Sequence, residues 1–308
     1  MLQSASPITN WAPIVGIWKS EVGSNQVLYE RPDPRNPFGF GISLSPARLR
    51  SGTISTTIDF SKSSQANEAR VIFGYNTLTR DYFSAGISGY GNAFVIDEFV
   101  SRRGWQPLNV AGSTESIDKT KPHNVVVNID GHRVTLIVDE IQVVQHMLSR
   151  PLPGDQVGLL AVGPGQVSFA NTIVKTASPK VFVVMQYGEP YDSIYTEVIF
   201  PVCKEMELDA FRADDIYKPG IILQDIITGI VESEIVIADI TPPNPNVFYE
   251  LGYSHALTKT TILLAERNNK ELPFDVKSYR CIFYDNTIRG KRDVEIVLRK
   301  HLENILHD

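Results

Sequence analysis

Glu250 is the residue of this sequence that points most clearly to chemistry. It lies in an otherwise apolar helical segment, and this segment follows the short apolar run 235–238, which ends at Asp239. A short apolar run of this kind is typical of a central parallel strand. Because small molecules bind beyond the carboxyl ends of such strands, Asp239, Asn244, Asn246 and Glu250 fall where a ligand site is expected.

Two residues could cap the start of the helix that carries Glu250. Asn244 before Pro245 suits an N-cap followed by proline at the first helical position, whereas Asn246 is the cap if the helix starts later. Either start places Glu250 within about two turns, where the helix dipole favours the ionised carboxylate and apolar neighbours raise its pKa. The charge state of Glu250 therefore stays open. So does a purely structural role, in which it complements the helix dipole or pairs with Arg212.

The length of 308 residues, together with a change of pattern near residue 177, predicts two domains. Residues 1–177 consist of short alternating segments separated by turn signals. Within them, residues 125–144 read as two alternating strands joined at Asp130–Gly131 by a type I′ turn, with a further reversal near Asp139–Glu140. The pattern predicts an all-β sandwich or jelly roll.

Residues 178–308 alternate between apolar strand segments and helical segments. This order predicts a parallel α/β sheet that helices cover on both faces. Pro201 lies inside the first predicted helix, 191–207, and is expected to kink or split it. Further helices are predicted over 220–231 and 292–306.

Composition and charge exclude several classes of function. The net charge of −6, from 29 basic and 35 acidic residues, offers no electrostatic footprint for nucleic acid or for an anionic membrane. Cys203 and Cys281 lie in apolar surroundings, which indicates reduced core thiols and argues against a disulfide framework or a cysteine-rich metal site. The N-terminal segment lacks a basic leader, and no apolar run approaches the roughly 20 residues of a membrane span. We therefore predict a cytoplasmic protein.

Most of residues 181–285 resemble a known superfamily. The strings VFVVMQYGEPYDSIYTEVIFPV, FRADDIYKPGIILQDIITGIVESEIVIADITPPNPNVFYELGYSHAL and LPFDVKSYRCIFYD are similar to bacterial TIR-like proteins, which are grouped with nucleoside 2-deoxyribosyltransferases. The resemblance implies a flavodoxin-like sheet and cleavage of the C–N bond between a ribosyl anomeric carbon and a base. The functional glutamate of these families lies in the helix after the strand that ends in Asp, which corresponds to Glu250 here.

With this resemblance, we predict a TIR-type NAD+ nucleosidase, a hydrolase or cyclase, in which Glu250 binds the ribose and stabilises the developing cation. NAD is then the substrate and no cofactor is expected, because the sequence has no Gly-rich dinucleotide fingerprint. One alternative is a nucleoside 2-deoxyribosyltransferase or N-glycosidase, with Glu250 as the covalent nucleophile in the transferase. Another is a catalytically silent nucleotide-sensing scaffold.

Further side chains near the strand ends are candidates for substrate binding. Tyr187 or Tyr191 is available to stack on a base, Arg212 to meet a phosphate, and Asp239 to hydrogen-bond the ribose. Each has a structural alternative, such as loop solvation, a surface ion pair or a brace for the following loop. The complete predicted substrate-binding set is Met185, Gln186, Tyr187, Tyr191, Arg212, Asp214, Asp239 and Asn246. No metal site is predicted.

The N-terminal half resembles the concanavalin A-like (laminin G-like) sandwiches. The segments WAPIVGIWKS, HNVVVNIDGHRVTLIVDEIQVV and PGDQVGLLAVGPGQVSFANTIV carry this similarity, which covers residues 11–174. It implies either sensing and assembly or sugar binding, for which the candidate aromatic residues are Trp18, Tyr75, Tyr82, Tyr90 and Trp105. We predict the former, in a bacterial antiphage effector that acts as a homo-oligomer and responds to an unidentified activator.

Overall fold

The structure is a computed structural model of the chain, and it describes residues 6–20, 23–35, 39–60, 67–215, 222–267 and 279–307. Contacts along the chain divide it into two compact units. The N-terminal unit comprises residues 1–148 and 152–177, and the C-terminal unit comprises residues 149–151 and 178–308. The main division therefore falls between Ala177 and Ser178.

The N-terminal unit is a β-sandwich, which confirms the predicted all-β class. Its strands are, in chain order, β1 (Ala12–Val15), β2 (Ile17–Ser20), β3 (Gln26–Arg31), β4 (Phe40–Arg48), β5 (Gly52–Asp59), β6 (Glu68–Tyr75), β7 (Tyr82–Gly89), β8 (Asn92–Val100), β9 (Gly104–Ser113), β10 (His123–Asp130), β11 (Arg133–Val138), β12 (Ile141–Met147), β13 (Gln156–Val162) and β14 (Val167–Thr176). One seven-stranded sheet has the order β1-β4-β13-β6-β7-β8-β9, and the other has the order β12-β11-β10-β5-β14-β3-β2. All the strand pairs in both sheets are antiparallel.

Alternating strands build the core between the two sheets. In β10 the side chains of Val125, Val127 and Ile129 are fully buried, and the residues between them are partly or fully exposed. Successive side chains of a strand point to opposite faces of the sheet, so this alternation sends one face into the core. Phe73 and Phe169 complete the same cluster. Burying each such side chain contributes roughly 1.5–3 kcal/mol to stability.

Two consecutive hairpins connect β10, β11 and β12 as predicted, but the type predicted for the first turn differs from the structure. Of the two loop residues that follow Asp130, only Gly131 has a positive φ, of 55°. A type I′ turn needs positive φ at both positions, so that assignment is wrong here, and glycine at the first position fits type II′. The positive pair lies one hairpin later, where Asp139 has φ of 48° and Glu140 has φ of 68°.

A buried ion cluster lies on the face of the first sheet that points away from the sandwich core. Arg70 projects to this face because its neighbours in β6 point into the core. Its guanidinium is only 3% exposed, donates to Asp97 at 2.6 Å and also contacts Glu68. It donates further to the carbonyl oxygen of Ser88, at 3.2 and 3.3 Å. Since Asp97 is fully buried, each charge of this cluster depends on the others for compensation.

The C-terminal unit is built on a parallel sheet. Its elements are, in chain order, β15 (Lys180–Val184), α1 (Asp192–Ile194), a π-helical segment (Tyr195–Ile199), α2 (Phe200–Glu205), β16 (Asp209–Phe211), α3 (Ile222–Glu232), β17 (Ile235–Asp239), α4 (Pro245–Ala256), β18 (Thr260–Glu266), β19 (Cys281–Tyr284) and α5 (Ile288–His307). The five strands are all parallel and have the order β16-β15-β17-β18-β19. This confirms the predicted parallel sheet, while the finer flavodoxin-like assignment stays a prediction.

Helices cover both faces of this sheet through two separate hydrophobic clusters. Val181 and Val183 of β15 pack with residues of the π-helical segment, α2 and α5 on one face. Phe182 and Val184 pack with α3 and α4 on the other face. The strand is buried on both sides, which explains why it reads as a continuous apolar run and not as an alternating one.

Pro201 does not split the first predicted helix. The π-helical segment ends at Ile199, and α2 begins at the next residue with the proline in its first turn. The backbone stays helical from Asp192 to Glu205, so the proline is accommodated by a π-helical change of the hydrogen-bonding pattern and not by a break in the helix. The helices predicted over 220–231 and 292–306 correspond to α3 and α5. The predicted start at Gly220 lies outside the described residues.

Candidate functional site

The crevice of the parallel sheet opens between β15 and β17. The chain leaves β15 toward α1 and α2 on one face, and it leaves β17 toward α4 on the opposite face. Neighbouring strands whose connections diverge in this way leave an opening beyond their carboxyl ends, where ligands bind in open parallel sheets. The loop after β15 and the start of α4 therefore border a ready-made crevice.

The start of α4 is fixed by a side-chain cap. The Asn244 side chain accepts a hydrogen bond from the backbone N–H of Asn246 at 2.8 Å, and Pro245 occupies the first turn. Asn244 is therefore the N-cap, and the alternative cap at Asn246 is wrong. The Asn244 amide also donates to the side-chain oxygen of Gln186, which ties the loop after β15 to the helix. Glu250 follows in the second turn.

Glu250 is a largely buried acid. The residue is only 8% exposed, and within the described parts of the chain no hydrogen-bond donor or basic side chain contacts its carboxyl oxygens. Burial raises its pKa from 4.5 to about 7. Desolvation thus outweighs the helix dipole, because a neutral carboxyl group avoids the cost of an unpaired buried charge. A large fraction of Glu250 is protonated near neutral pH, and the predicted pairing with Arg212 is not formed.

A pocket of about 560 Å³ surrounds the Glu250 side chain. It is lined by Met185, Gln186, Tyr187, Ala213, Asp214, Leu223, Ile226, Asn244, Asn246, Val247, Tyr249 and Glu250. Six residues of the predicted site come together there: Met185, Gln186, Tyr187, Asp214, Asn246 and Glu250. We refer to this space as the Glu250 pocket.

Sequence reasoning missed two lining residues with large side chains, Tyr249 and Leu223. The sequence could have indicated Tyr249, because Tyr249 and Glu250 lie three and four positions after Asn246 and so share one face of the helix with it. Leu223 had none. Its place in the pocket depends on how α3 packs beside α4, which is a tertiary contact that local periodicity does not specify.

Arg212 lies beside the Glu250 pocket but does not line it. Its guanidinium donates to Asp192 at 2.7 Å, lies 3.1 Å from an oxygen of Asp214, and stacks over the rings of Tyr195 at 4.3 Å and Tyr187 at 5.3 Å. Burial raises the pKa of Asp214, and the ion pair with Arg212 opposes this rise. Two carboxylates thus already occupy the guanidinium that we expected to meet a ligand phosphate.

Asp239 and Tyr191 also lie outside the Glu250 pocket. Asp239 is fully buried, and its two oxygens accept hydrogen bonds from the backbone N–H of Thr241 at 3.0 Å and from the Tyr284 hydroxyl at 2.7 Å. Burial raises its pKa to about 7, with a smaller contribution from Glu266. These contacts match the bracing alternative. Tyr191 lines a second pocket of about 500 Å³, near the start of α5.

The aromatic candidates for sugar binding in the N-terminal unit are mostly packed inside it. Trp18 belongs to the core between the sheets, and Tyr75 and Tyr82 are buried on the outer face of the first sheet. Trp105 is half-buried and donates to the Tyr82 hydroxyl at 3.0 Å. Tyr90 is the exposed member, and its hydroxyl donates to Asp97 at 2.9 Å. These five rings therefore do not form an open aromatic platform.

The described residues contain no group of three or more His, Cys, Asp or Glu side chains that could hold a metal ion. None of the helices in the described ranges has the length and apolar character needed to cross a membrane. Cys203 is buried and Cys281 is half-buried, and both are free thiols whose pKa burial raises, to about 12 and about 11 respectively. Both sulfurs stay protonated at neutral pH and are poor nucleophiles.

No protein-family model matches the chain, and no curated protein matches it. Among solved structures, it is similar to a carbohydrate-binding module from Bacillus subtilis, with 16% identity over 55% of this chain and 95% of that one, at a TM-score of 0.44. A protein with a galectin-like fold from the same organism has 10% identity over 55% and 93%, at a TM-score of 0.39. A β-glucanase from Bacillus licheniformis has 10% identity over 56% and 96%, also at 0.39. At these TM-scores the likenesses carry no argument about function.

These comparisons correct the predicted membership in the TIR-like and deoxyribosyltransferase superfamily. No family model and no curated protein supports it. The NAD nucleosidase activity, its transferase and scaffold alternatives and the antiphage role were built on that membership and are wrong with it.

Proposed function

We propose that the C-terminal unit is a hydrolase of small O-glycosides and that Glu250 is its general acid. The observation that carries the proposal is the buried Glu250 carboxyl group, which faces a pocket and whose pKa is raised to about 7. A group with this pKa can give up a proton at neutral pH, which is what an oxygen leaving group requires. An ordinary exposed glutamate is ionised there and has no proton to give.

Asp214 is the second carboxyl group that the reaction needs. It lines the same pocket, and its pairing with Arg212 favours the ionised form. Glu250 donates its proton to the glycosidic oxygen as the bond from that oxygen to the anomeric carbon breaks. Asp214 takes a proton from the water molecule whose oxygen forms the new bond to the anomeric carbon. The products are the free sugar and the alcohol, and proton exchange with solvent then resets both carboxyl groups.

The remaining lining residues suit a sugar ring. The side-chain amides of Gln186, Asn244 and Asn246 can donate and accept hydrogen bonds, as sugar hydroxyls require. Tyr187 offers a ring over which the Arg212 guanidinium stacks, and aromatic faces pack well on the apolar face of a sugar. The pocket volume of about 560 Å³ lies within the range of small-molecule sites.

The test compares leaving groups of different acidity. Purified protein is incubated with a panel of phenyl and dinitrophenyl glycosides of common hexoses and pentoses, and release of the phenol is followed. A phenyl leaving group needs protonation, whereas a dinitrophenyl group departs readily as the anion. Glu250→Gln should therefore lower kcat/KM for the phenyl substrate by about a hundred- to ten-thousandfold and have a much smaller effect on the dinitrophenyl substrate.

Glu303→Gln is the matched control, because Glu303 is an exposed glutamate on α5 that does not line the pocket. It should leave both rates unchanged. Equal losses for the two leaving groups in Glu250→Gln would show that the residue binds or folds the site and is not the acid. If the wild-type protein hydrolyses none of the glycosides, the proposed function is wrong.

A further inference from the structure

Part of the Glu250 pocket is apolar and exposed to solvent. Leu223 of α3 and Tyr249 of α4 are 46% and 56% exposed, respectively, although both line a concave site. Single exposed apolar side chains are common on protein surfaces, but two large ones that line the same concave site give that site an apolar wall. Two of them at one pocket indicate that the ligand carries an apolar part.

The apolar and polar lining residues come from different elements. Leu223 and Ile226 of α3 stand one helical turn apart, and Ile226 packs into the same cluster as Val247. The hydrogen-bonding groups come instead from the loop after β15 and the first turn of α4, where Gln186 and Asn244 contact each other. The pocket is thus built for a ligand with one polar and one apolar portion.

We propose that Leu223 and Tyr249 form a subsite for a planar, apolar leaving group, so that the site prefers aryl glycosides to alkyl glycosides. This inference rests on the proposed function. The volume of about 560 Å³ supports it, because a single sugar ring leaves part of such a pocket unfilled. An aromatic ring placed between a leucine and a tyrosine removes apolar surface from water on all three groups.

The test measures binding and turnover separately. Calorimetry gives the dissociation constants of matched phenyl and methyl glycosides, using Glu250→Gln so that neither is consumed. The phenyl compound should bind about tenfold more tightly, and the double change Leu223→Gln with Tyr249→Gln should abolish this preference. Ile296→Gln is the matched control: Ile296 is 47% exposed on α5 but lies outside the pocket, so the preference should persist.

Two patterns separate the failure of this inference from that of the proposed function. If the wild-type protein hydrolyses phenyl glycosides but the double variant keeps the phenyl preference in binding, the subsite is wrong and the hydrolase stands. If the phenyl preference depends on Leu223 and Tyr249 but no glycoside is hydrolysed, the subsite stands and the hydrolase fails. If the Glu250→Gln protein binds the phenyl and methyl glycosides with equal affinity, the inference is wrong.

Discussion

Replacing Glu250 with Gln should stabilise the C-terminal unit above neutral pH, although it removes the proposed proton donor. Burial raises the pKa of Glu250 from 4.5 in the absence of the fold to about 7 in the folded protein. Between these values the folded protein holds a proton that the unfolded protein has released, so the free energy of unfolding falls as the pH rises. From the difference between these pKa values, the penalty above about pH 7 amounts to roughly 3 kcal/mol.

Glutamine is neutral at every pH and has nearly the same volume as glutamate, so the variant carries no such penalty. At about pH 3.5 and below, wild-type and variant proteins should have similar stability, because Glu250 is protonated in both the folded and the unfolded wild type. At about pH 8 the variant should be more stable by up to about 3 kcal/mol. The difference in the free energy of unfolding between the two proteins should increase as the pH rises between these limits.

Urea unfolding at several pH values provides the assay, because the two units give different signals. Helices α1 to α5 all lie in the C-terminal unit, so far-ultraviolet circular dichroism follows that unit. The three tryptophans, Trp11, Trp18 and Trp105, all lie in the N-terminal unit, so their fluorescence is an internal reference that Glu250→Gln should not change. Glu303→Gln serves as the exposed control, with a difference from wild type that does not vary with pH.

Two results would refute the reasoning. A stability difference that stays constant from about pH 5 to about pH 8 would mean that folding does not perturb the pKa of Glu250. A variant less stable than wild type at the alkaline end would mean that the carboxylate has a stabilising partner in solution. Either result would also remove the observation that carries the proposed function.

Three further predictions concern polar groups that hold the fold around the site and in the sandwich. Asn244→Ala removes the cap of α4 and should lower the free energy of unfolding of the C-terminal unit by about 1 kcal/mol, measured by circular dichroism; no loss would show that the cap is redundant. Arg212→Met leaves two half-exposed aspartates, among them Asp214, without their cation. It should lower the free energy of unfolding by roughly 2 kcal/mol in the same assay, and a stability equal to that of the wild type would contradict this. Arg70→Met leaves the fully buried Asp97 uncompensated and should cost about 3 kcal/mol or more in the N-terminal unit, read by tryptophan fluorescence. An equally stable Arg70→Met protein would mean that the cluster does not depend on the guanidinium.

The sequence was sufficient for the elements whose signals are local. The strand after Ser233, the Asn–Pro start of α4 and the position of Glu250 all follow from apolar runs and cap chemistry within one short segment. The π-helical segment before Pro201 is a partial success, because proline predicts an irregularity but not the form that the irregularity takes. The type I′ turn predicted at Asp130–Gly131 is wrong because φ at His132 depends on the register of the flanking strands.

The candidate site was harder to predict because it depends on contacts between elements. The sequence places Arg212 after a strand end, where it appears free to bind a phosphate, and only the fold shows that Asp192 and Asp214 already hold it. The charge state of Glu250 was undecided for a related reason. The helix dipole acts along the chain and is visible in the sequence, whereas desolvation depends on which neighbouring side chains close around the carboxyl group.

The position of Arg212 has a consequence for how the two pockets behave together. Asp214 lines the Glu250 pocket, and Asp192 belongs to a helix whose neighbouring residues Tyr191 and Ser193 line the second pocket. One guanidinium therefore balances a carboxylate beside each of them. A cationic ligand that pairs with Asp214 leaves more of the guanidinium charge to Asp192, and a ligand near Asp192 has the converse effect. The same guanidinium thus pairs with carboxylates next to both pockets, and thermodynamic linkage makes any resulting effect of one occupant on the other equal in both directions.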